Sequence, residues 1–139
     1  MAPMSSPTAL ALTGFIVWSL LLLVVMEAAR SALVVTKRIR SNEFQPDNAN
    51  LSPFMQRLAR AHANCVEGLP LFGGLLAVAL ITGRANVTDA LAPVLLGARI
   101  VQSSIHVASL SVLAVNLRFS AFVVQMALGL YWSFELLAG

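Results

Sequence analysis

Charged residues are scarce in this sequence. Of its 139 residues, 11% are charged and 58% are hydrophobic, whereas a soluble globular domain carries about 25% charged residues. With so few charges most side chains are unsuited to water, which excludes an ordinary soluble domain. The formal net charge of +3 is small, and no zinc finger or other recognition motif accompanies it, which argues against a nucleic-acid partner. We therefore expect a membrane protein.

Cysteine is nearly absent, and metal-ligand clusters and phosphate-binding loops are lacking. The single cysteine, Cys65, excludes an intrachain disulfide. Since no cluster of metal ligands occurs, we predict no metal site. No Gly-rich phosphate-binding loop occurs either. Residues 1–8 contain no lysine or arginine, whereas a secretory signal has a basic first segment and a short apolar core. We therefore expect the first hydrophobic segment to be retained as a membrane span.

Four long apolar segments account for most of the chain. A membrane-spanning helix needs about 20 apolar residues, and backbone polar groups in lipid must be paired within the segment. The predicted spans are residues 9–35, 64–81, 90–115 and 119–137. Short connections at 83–88 and 116–118 favour antiparallel neighbours, and Pro70 predicts a local disturbance of the second helix. The sequence predicts an all-α, up-down-up-down four-helix membrane bundle, as a single domain over residues 1–139.

Basic residues are distributed unevenly between the two ends of this bundle. Arg84 is the basic residue expected at the end that contains the second connection. The opposite end carries Lys37, Arg38, Arg40, Arg57, Arg60 and Arg118. Because basic residues favour cytoplasmic loops, we expect the long polar loop 37–53 in the cytoplasm and both termini outside it.

Polar residues occur at helical spacing inside three of the predicted spans, although ionisable groups there are costly and usually functional. The stripes are Glu27, Ser31, Val34 and Arg38 on the first span, Arg57, Arg60, Asn64 and Glu67 on the second, and Arg99, Gln102, Ser103 and His106 on the third. Arginine outnumbers glutamate in this region. Since arginine recognises carboxylates through paired hydrogen bonds, the surplus indicates an anionic ligand.

The alternative is a polar seam with no ligand. In that interpretation Glu67 pairs with Arg99, and Glu27 pairs with Arg30, only to neutralise buried charge.

Residues 57–72 read RLARAHANCVEGLPLF. This segment resembles the signature of the MAPEG family, the membrane-associated proteins in eicosanoid and glutathione metabolism. The signature is R-x-x-R-A-H-x-N-x-x-E-x-x-P-x-F, and every defined position is present. The resemblance extends over the whole chain, through four spans and a long polar first loop, and is to a bacterial-type, microsomal glutathione transferase-like member.

This resemblance implies a homotrimer that binds glutathione between neighbouring subunits, near the cytoplasmic face. It assigns glutathione binding to Arg38, Arg60, Asn64, Glu67, Arg99 and His106. Arg118 matches the family arginine near the glutathione thiol and is the candidate catalytic residue. Its charge would favour the thiolate, which would attack a lipophilic electrophile or hydroperoxide in the membrane.

The sequence also departs from the family pattern. Active members usually carry tyrosines on the third span and early in the fourth. His106 and Phe122 stand at the corresponding positions, and Tyr131 is the single tyrosine of the chain. This departure puts a tyrosine-assisted mechanism in doubt.

Three functions are compatible with these features. The first is a glutathione transferase or peroxidase, with glutathione as co-substrate and a lipophilic molecule and membrane lipids as further partners. The second is a non-catalytic member that binds or presents a lipid, which the missing tyrosines favour. The third is a small multidrug transporter that uses Glu27, which the arginine surplus and the second-span signature disfavour.

Overall fold

The computed structural model describes residues 6–139, and residues 1–5 of the predicted domain lie outside this part. Regular structure in the described part is helical, as the sequence predicted. The elements are α1 (Pro7–Val35), α2 (Pro53–Gly68), a π-helical segment (Leu69–Gly73), α3 (Gly74–Ile81), a 3₁₀ turn (Ala85–Val87), α4 (Ala92–Ala108) and α5 (Val112–Ala138).

Serine caps begin three of the helices. The hydroxyl of Ser6 accepts a hydrogen bond from the third residue of α1, and Ser52 and Ser111 do the same for α2 and α5. Pro7 and Pro53 follow two of these caps. Serine satisfies an amide that has no partner in the first turn, and proline lacks that amide. Local sequence chemistry therefore determines where these helices begin.

Within residues 6–139, three helices are long and apolar enough to cross a membrane. They are Pro7–Val35, the continuous helix Pro53–Ile81 and Val112–Ala138. The remaining helix, α4, has 17 residues and contacts α1, α2 and α5. Its polar stripe is thus enclosed by the three apolar helices.

The bounds of the third and fourth helices differ from the prediction. The predicted third span, 90–115, ends as a helix at Ala108, and α5 begins at Val112. The connection predicted at 116–118 therefore lies inside α5. The chain turns at Ser109, whose hydroxyl accepts a hydrogen bond from the amide of Ser111 at 3.0 Å. A serine-rich turn in an apolar stretch ends the helix here, because side-chain oxygens replace the helical acceptors.

The second helix begins at Pro53, earlier than the apolar span predicted over 64–81. Its first turns carry polar residues that a search for apolar runs omits. The disturbance predicted at Pro70 takes the form of the π-helical segment Leu69–Gly73, since proline cannot donate the regular hydrogen bond.

Hydrogen bonds between helix ends define the topology. Arg84, after α3, donates to backbone carbonyls in the last turn of α5. The amide of Thr8, at the start of α1, donates to the carboxylate of Asp89, just before α4. At the opposite end, Arg57 donates to the carbonyl of Val107 at 2.8 Å. Successive helices therefore alternate in direction, with both ends of the described chain on the side of Arg84.

The interior of the described part of the chain contains two apolar clusters. One is formed by Ala11, Phe15, Phe72, Leu76, Ala92, Leu95 and Trp132, and the other by Leu22, Met26, Met55, Leu58, Ala59 and Cys65. Along α4, Leu95 belongs to the first cluster and Val107 packs against the second. Between these positions lie Arg99, Gln102, Ser103 and His106, all buried. The bundle thus carries a polar layer between two apolar ones.

Candidate functional site

Arg99 lies at the centre of the polar layer with no exposed surface. Its Nη1 donates to Oδ1 of Asn64 on α2 at 2.6 Å. Its guanidinium carbon lies 5.2 Å from the ring centroid of Phe15 and 5.9 Å from that of Phe72. Within residues 6–139 its Nε and Nη2 have no hydrogen-bond partner. Aromatic faces offset part of the cost of burying this cation, yet two of its donor atoms remain free.

A chain of amides extends from Asn64 through the interior. Nε2 of Gln102 donates to Oδ1 of Asn64 at 3.0 Å. Nε2 of Gln125, on α5, donates to Oε1 of Gln102 at 2.7 Å. The chain thus connects α2, α4 and α5 through side-chain hydrogen bonds, which restrain polar side chains strongly where water is excluded.

A cavity of about 270 Å³ lies beside Asn64. Three of the predicted binding and catalytic residues line it: Asn64, His106 and Arg118. Its other lining residues are Gln102, Val115, Phe119 and Phe122. The cavity therefore offers polar groups and one cation on one side, and aromatic and aliphatic surface on the other. We take this cavity as the candidate site.

Arg60 belongs to the surroundings of this cavity. Both Arg60 and Arg118 lie near enough to His106 for their charges to act on it. Arg118 is partly buried, whereas Arg60 is exposed. Two cations next to a polar cavity make the region attractive to an anion.

Two predicted site residues, Arg38 and Glu67, lie elsewhere. Arg38 is exposed near the end of α1 and lines a separate surface hollow of about 550 Å³ with Lys37, Arg40 and Glu43. Glu67 is exposed on α2. The two ion pairs found within residues 6–139 are Arg30–Glu27 and Arg40–Glu43. The predicted pairing of Glu27 with Arg30 is thus present, while that of Glu67 with Arg99 is not.

Sequence reasoning missed the role of Arg30. Its guanidinium donates to Oδ1 of the buried Asn48 at 2.6 Å and to the carbonyls of Gln45 and Pro46. It also lies 5.4 Å from the ring centroid of Phe44. Arg30 therefore fastens the long polar loop to α1. The signal in the sequence was that the loop contains Pro46 and Asn48, residue types that are typical of a defined turn.

Gln125 was also missed. It is fully buried and is the α5 member of the amide chain. Polar stripes were predicted on the first three spans only, although Gln125 follows Arg118 by seven residues, at helical spacing. Its place within an apolar segment, three residues after Phe122, was the signal for an inward-facing polar group.

An apolar groove of about 630 Å³ runs beside the cavity. It lies between the segment Pro70–Val78 and α5, where Met126, Gly129 and Leu130 line it. Phe122 lines both the groove and the cavity. A lipid-soluble molecule in the groove would thus be separated from the polar cavity by one aromatic side chain.

The comparisons with known proteins agree with the resemblance found in residues 57–72. The family model described as "MAPEG family" matches residues 8–138, and hence nearly the whole chain. Searches of curated proteins and of solved structures found no significant match. The matched range and the three long apolar helices together show that this chain is an integral membrane protein that belongs to the MAPEG family.

Proposed function

We propose that the protein binds glutathione and activates its thiol for attack on a lipophilic electrophile or hydroperoxide. The observation that supports this best is the cavity in which Asn64, His106 and Arg118 meet. The MAPEG family includes glutathione transferases, which gives the proposal its substrate class.

The residues around the cavity suit the chemistry of glutathione. Glutathione carries two carboxylates and one ammonium at neutral pH. The exposed Arg60 fits a carboxylate, while Arg99, which is fully buried and does not line the cavity, acts by holding the amide of Asn64. Glu67, one helical turn from Asn64, would fit the ammonium.

The size of the cavity indicates how the ligand is held. Small-molecule pockets usually measure roughly 300–1,000 Å³, so about 270 Å³ within one chain is small for a tripeptide. Glu67 and Arg60 also lie exposed on the outside of the subunit. We therefore propose that the ligand extends between subunits of a homotrimer, and that a neighbouring copy supplies Arg38.

Arg118 is the proposed catalytic residue. A thiol has an ordinary pKa of about 8.5, so most of it is protonated at neutral pH. A guanidinium next to the sulfur lowers the thiol pKa by stabilising the thiolate. The aromatic and aliphatic lining of the cavity would strengthen that pairing by excluding water.

The reaction then needs no nucleophile from the protein. With an electrophile, the thiolate sulfur forms a bond to carbon while the leaving group departs with its electron pair. With a hydroperoxide, the oxygen–oxygen bond is reduced to an alcohol and water while two glutathione molecules are oxidised to the disulfide. The apolar groove next to Phe122 would hold the lipophilic substrate.

We further propose that the cavity lies toward the cytoplasmic face and that both termini are non-cytoplasmic. The bundle end with Arg57 and the long loop carries most basic residues, whereas Arg84 lies at the end with the termini. A reporter enzyme that is active only outside the cytoplasm should therefore be active when it is fused to the C-terminus. Activity of a fused reporter that works only in the cytoplasm would mean that the orientation is the reverse of the one proposed.

Calorimetry with detergent-purified protein tests the function. We expect Asn64→Ala and Arg99→Ala to weaken glutathione binding at least about tenfold, because charge-assisted hydrogen bonds contribute roughly 1.5–3 kcal/mol each. Arg118→Ala should bind within a few-fold of wild type, yet lose thiolate absorbance and most turnover. Arg40→Ala is the matched control, since that side chain is 87% exposed.

Two results would overturn the proposal. One is a folded wild type that binds no glutathione. The other is bound glutathione with no thiolate signal and no product across a panel of electrophiles and hydroperoxides.

A second function, non-catalytic lipid binding, is favoured by one observation. Phe119 and Phe122 line the cavity where hydroxyl donors would assist a thiolate. A lipid-binding protein should bind a fluorescent fatty acid in the groove with an affinity that Glu67→Ala leaves unchanged.

A further inference from the structure

The amide chain of Asn64, Gln102 and Gln125 is fixed at both ends by groups that can form only one kind of hydrogen bond. At the α5 end, Nε2 of Gln125 donates to the backbone carbonyl of Ala121 at 3.2 Å as well as to Gln102. At the α2 end, Nη1 of Arg99 donates to Oδ1 of Asn64 at 2.6 Å. A backbone carbonyl only accepts and a guanidinium only donates. Both terminal amides therefore have a defined orientation.

The orientation of the middle amide, that of Gln102, follows from the orientations of the two terminal amides. Because Gln125 presents its NH₂ group, Gln102 must turn its carbonyl toward Gln125 and its NH₂ toward Asn64. Asn64 must then turn its carbonyl toward Gln102, as Arg99 also requires. Turning any one amide around would set donor against donor or acceptor against acceptor. The orientations, which side-chain density alone rarely determines, are here fixed by the network.

This network leaves one group of Asn64 for a ligand. Its Oδ1 receives hydrogen bonds from both Arg99 and Gln102, which use its two lone pairs. Its NH₂ group has no hydrogen bond to any part of residues 6–139 that the structure describes. Asn64 also lines the cavity, beside His106 and Arg118.

We infer that Gln102 and Gln125 are positioning residues that hold the Asn64 amide with its NH₂ group as a donor for the cavity, so that it selects a carboxylate or carbonyl oxygen of the ligand. Identification of that ligand as glutathione rests on the proposed function. The orientation itself depends only on the protein. Gln125 acts through Gln102 at a distance from the ligand, on a different helix from Asn64.

Hydrogen exchange of side-chain amides tests the orientation without any ligand. In protein labelled with ¹⁵N at asparagine and glutamine, the NH₂ protons of Gln102 and Gln125 should exchange slowly, and those of Asn64 faster. Single substitutions assign the signals. Gln125→Met keeps the length of the side chain but removes the donor, so the Gln102 protons should lose at least about tenfold in protection. Gln45→Met, in the exposed loop, should change the exchange rate of neither the Gln102 nor the Asn64 protons.

Thermal unfolding of the same samples separates positioning from a general loss of structure. The inference requires that the Gln102 protons of Gln125→Met lose protection from exchange while the other amides of that protein keep theirs. Fast exchange of the Gln102 protons in wild type, or unchanged exchange in folded Gln125→Met, would overturn it. If Gln125→Met fails to fold, Gln125→Asn, which shortens the side chain and withdraws the donor, provides the same comparison.

Glutathione binding tests the polarity of the Asn64 group. Asn64→Asp keeps an acceptor for Arg99 but replaces the NH₂ donor by oxygen. If that donor faces a ligand oxygen, Asn64→Asp should weaken binding at least about tenfold, and Gln125→Met should weaken it about fivefold, as expected for one misaligned hydrogen bond. Equal or tighter binding by Asn64→Asp would contradict the inference, since it would mean that Asn64 meets the ligand ammonium.

The two experiments distinguish the two proposals. A wild type with the expected exchange pattern that binds no glutathione removes the proposed function and retains the positioning of Asn64 for another ligand with acceptor oxygens. Glutathione binding without the exchange pattern retains the function and removes the role of Gln125.

Discussion

Arg99 determines which side chain can stand at position 68. A methyl group added at Gly68 would lie 2.6 Å from Nη2 of Arg99 and 3.3 Å from its Cζ. The guanidinium cannot easily move away, because Phe15 and Phe72 lie against it and Asn64 accepts its hydrogen bond. Glycine at this position therefore allows an arginine to pack directly on the backbone of α2.

Gly68→Ala should displace the Arg99 guanidinium and break its hydrogen bond to Asn64. We expect a loss of roughly 1–3 kcal/mol in the free energy of unfolding, as for overpacking of a core, and weaker glutathione binding. Gly74→Ala is the control, since a methyl group there meets nothing within 4 Å. It should be neutral or stabilising by up to about 1 kcal/mol, because alanine favours helix. Thermal and denaturant unfolding in one detergent compare Gly68→Ala with Gly74→Ala. Equal stability of the two variants would mean that Arg99 does not require glycine at position 68.

At the residue scale, helical spacing predicted which polar groups share one helix face, but not how the helices would bring those faces together. Asn64 and Arg99 lie on helix faces that spacing alone identifies, and the structure joins them by a hydrogen bond. The separation of Arg38 from the cavity could not be predicted, because helix spacing says nothing about the packing of one helix against another. Gln125 was missed because polar stripes were predicted on the first three spans only, although it lies seven residues after Arg118.

Among the elements, hydrogen bonds to Asp89, just before α4, join the N-terminal ends of α1 and α4. Oδ1 of Asp89 accepts hydrogen bonds from the Thr8 hydroxyl at 2.6 Å, the Thr8 amide at 3.1 Å and the Ser6 hydroxyl at 3.2 Å. A carboxylate at a helix N-terminus also interacts favourably with the helix dipole. These hydrogen bonds, that from the Thr8 hydroxyl first, hold the pKa of Asp89 below its ordinary value of 3.8, against partial desolvation.

Asp89→Asn should destabilise the protein in a pH-dependent way. Since the folded-state pKa is lowered, the stabilisation by the carboxylate is present above its ordinary pKa and is lost as pH falls through the folded-state value. At pH 7 we expect the variant to be less stable by about 0.3–1 kcal/mol, the usual range for a charge at a helix terminus. Thermal unfolding at steps from pH 7 to pH 3 should show the difference shrinking. A difference that stays constant would assign it to packing rather than charge.

Element bounds were predictable where serine and proline coincide and less so inside apolar runs. Ser52 followed by Pro53 is a recognisable helix start, and so is Ser6 followed by Pro7. The segment Ser109–Ser111 stands between apolar residues, so hydropathy continues through it although the helix ends there. Asn116 and Arg118 were interpreted as a connection because they are polar, yet they lie in the first turns of α5. Polar residues at the end of a span need not form the turn.

At the scale of the whole molecule, the described part of the chain has polar groups inside and apolar groups outside. Arg99, Gln102 and Gln125 are buried, while apolar residues such as Leu71 and Leu130 are 66% and 75% exposed. This distribution suits a lipid environment, where exposed apolar surface costs nothing. Class and fold were predictable from the sequence for this reason, since few charges and long apolar runs admit few alternatives.

Glu67 is an exception to this distribution, and it bears on the proposed trimer. It lies well inside the continuous helix Pro53–Ile81 and is exposed on the single subunit. A carboxylate in lipid is costly by roughly 2.5–3.5 kcal/mol or more, so a further protein surface should cover it. A second copy of this chain can do so with its own basic residues, among which Arg38 and Arg60 are exposed.

If Glu67 faces a neighbouring subunit, Glu67→Leu should weaken assembly rather than stabilise a lipid-facing surface. In detergent, wild type should have a protein mass of three copies of 14.8 kDa by native mass spectrometry. Glu67→Leu should shift it toward smaller species, because loss of one partner leaves a neighbouring cation buried and unpaired. Leu137→Ala is the control, since Leu137 is 88% exposed at the end of α5. A monomeric wild type, or a Glu67→Leu trimer as stable as wild type, would mean that lipid or a different protein covers this carboxylate.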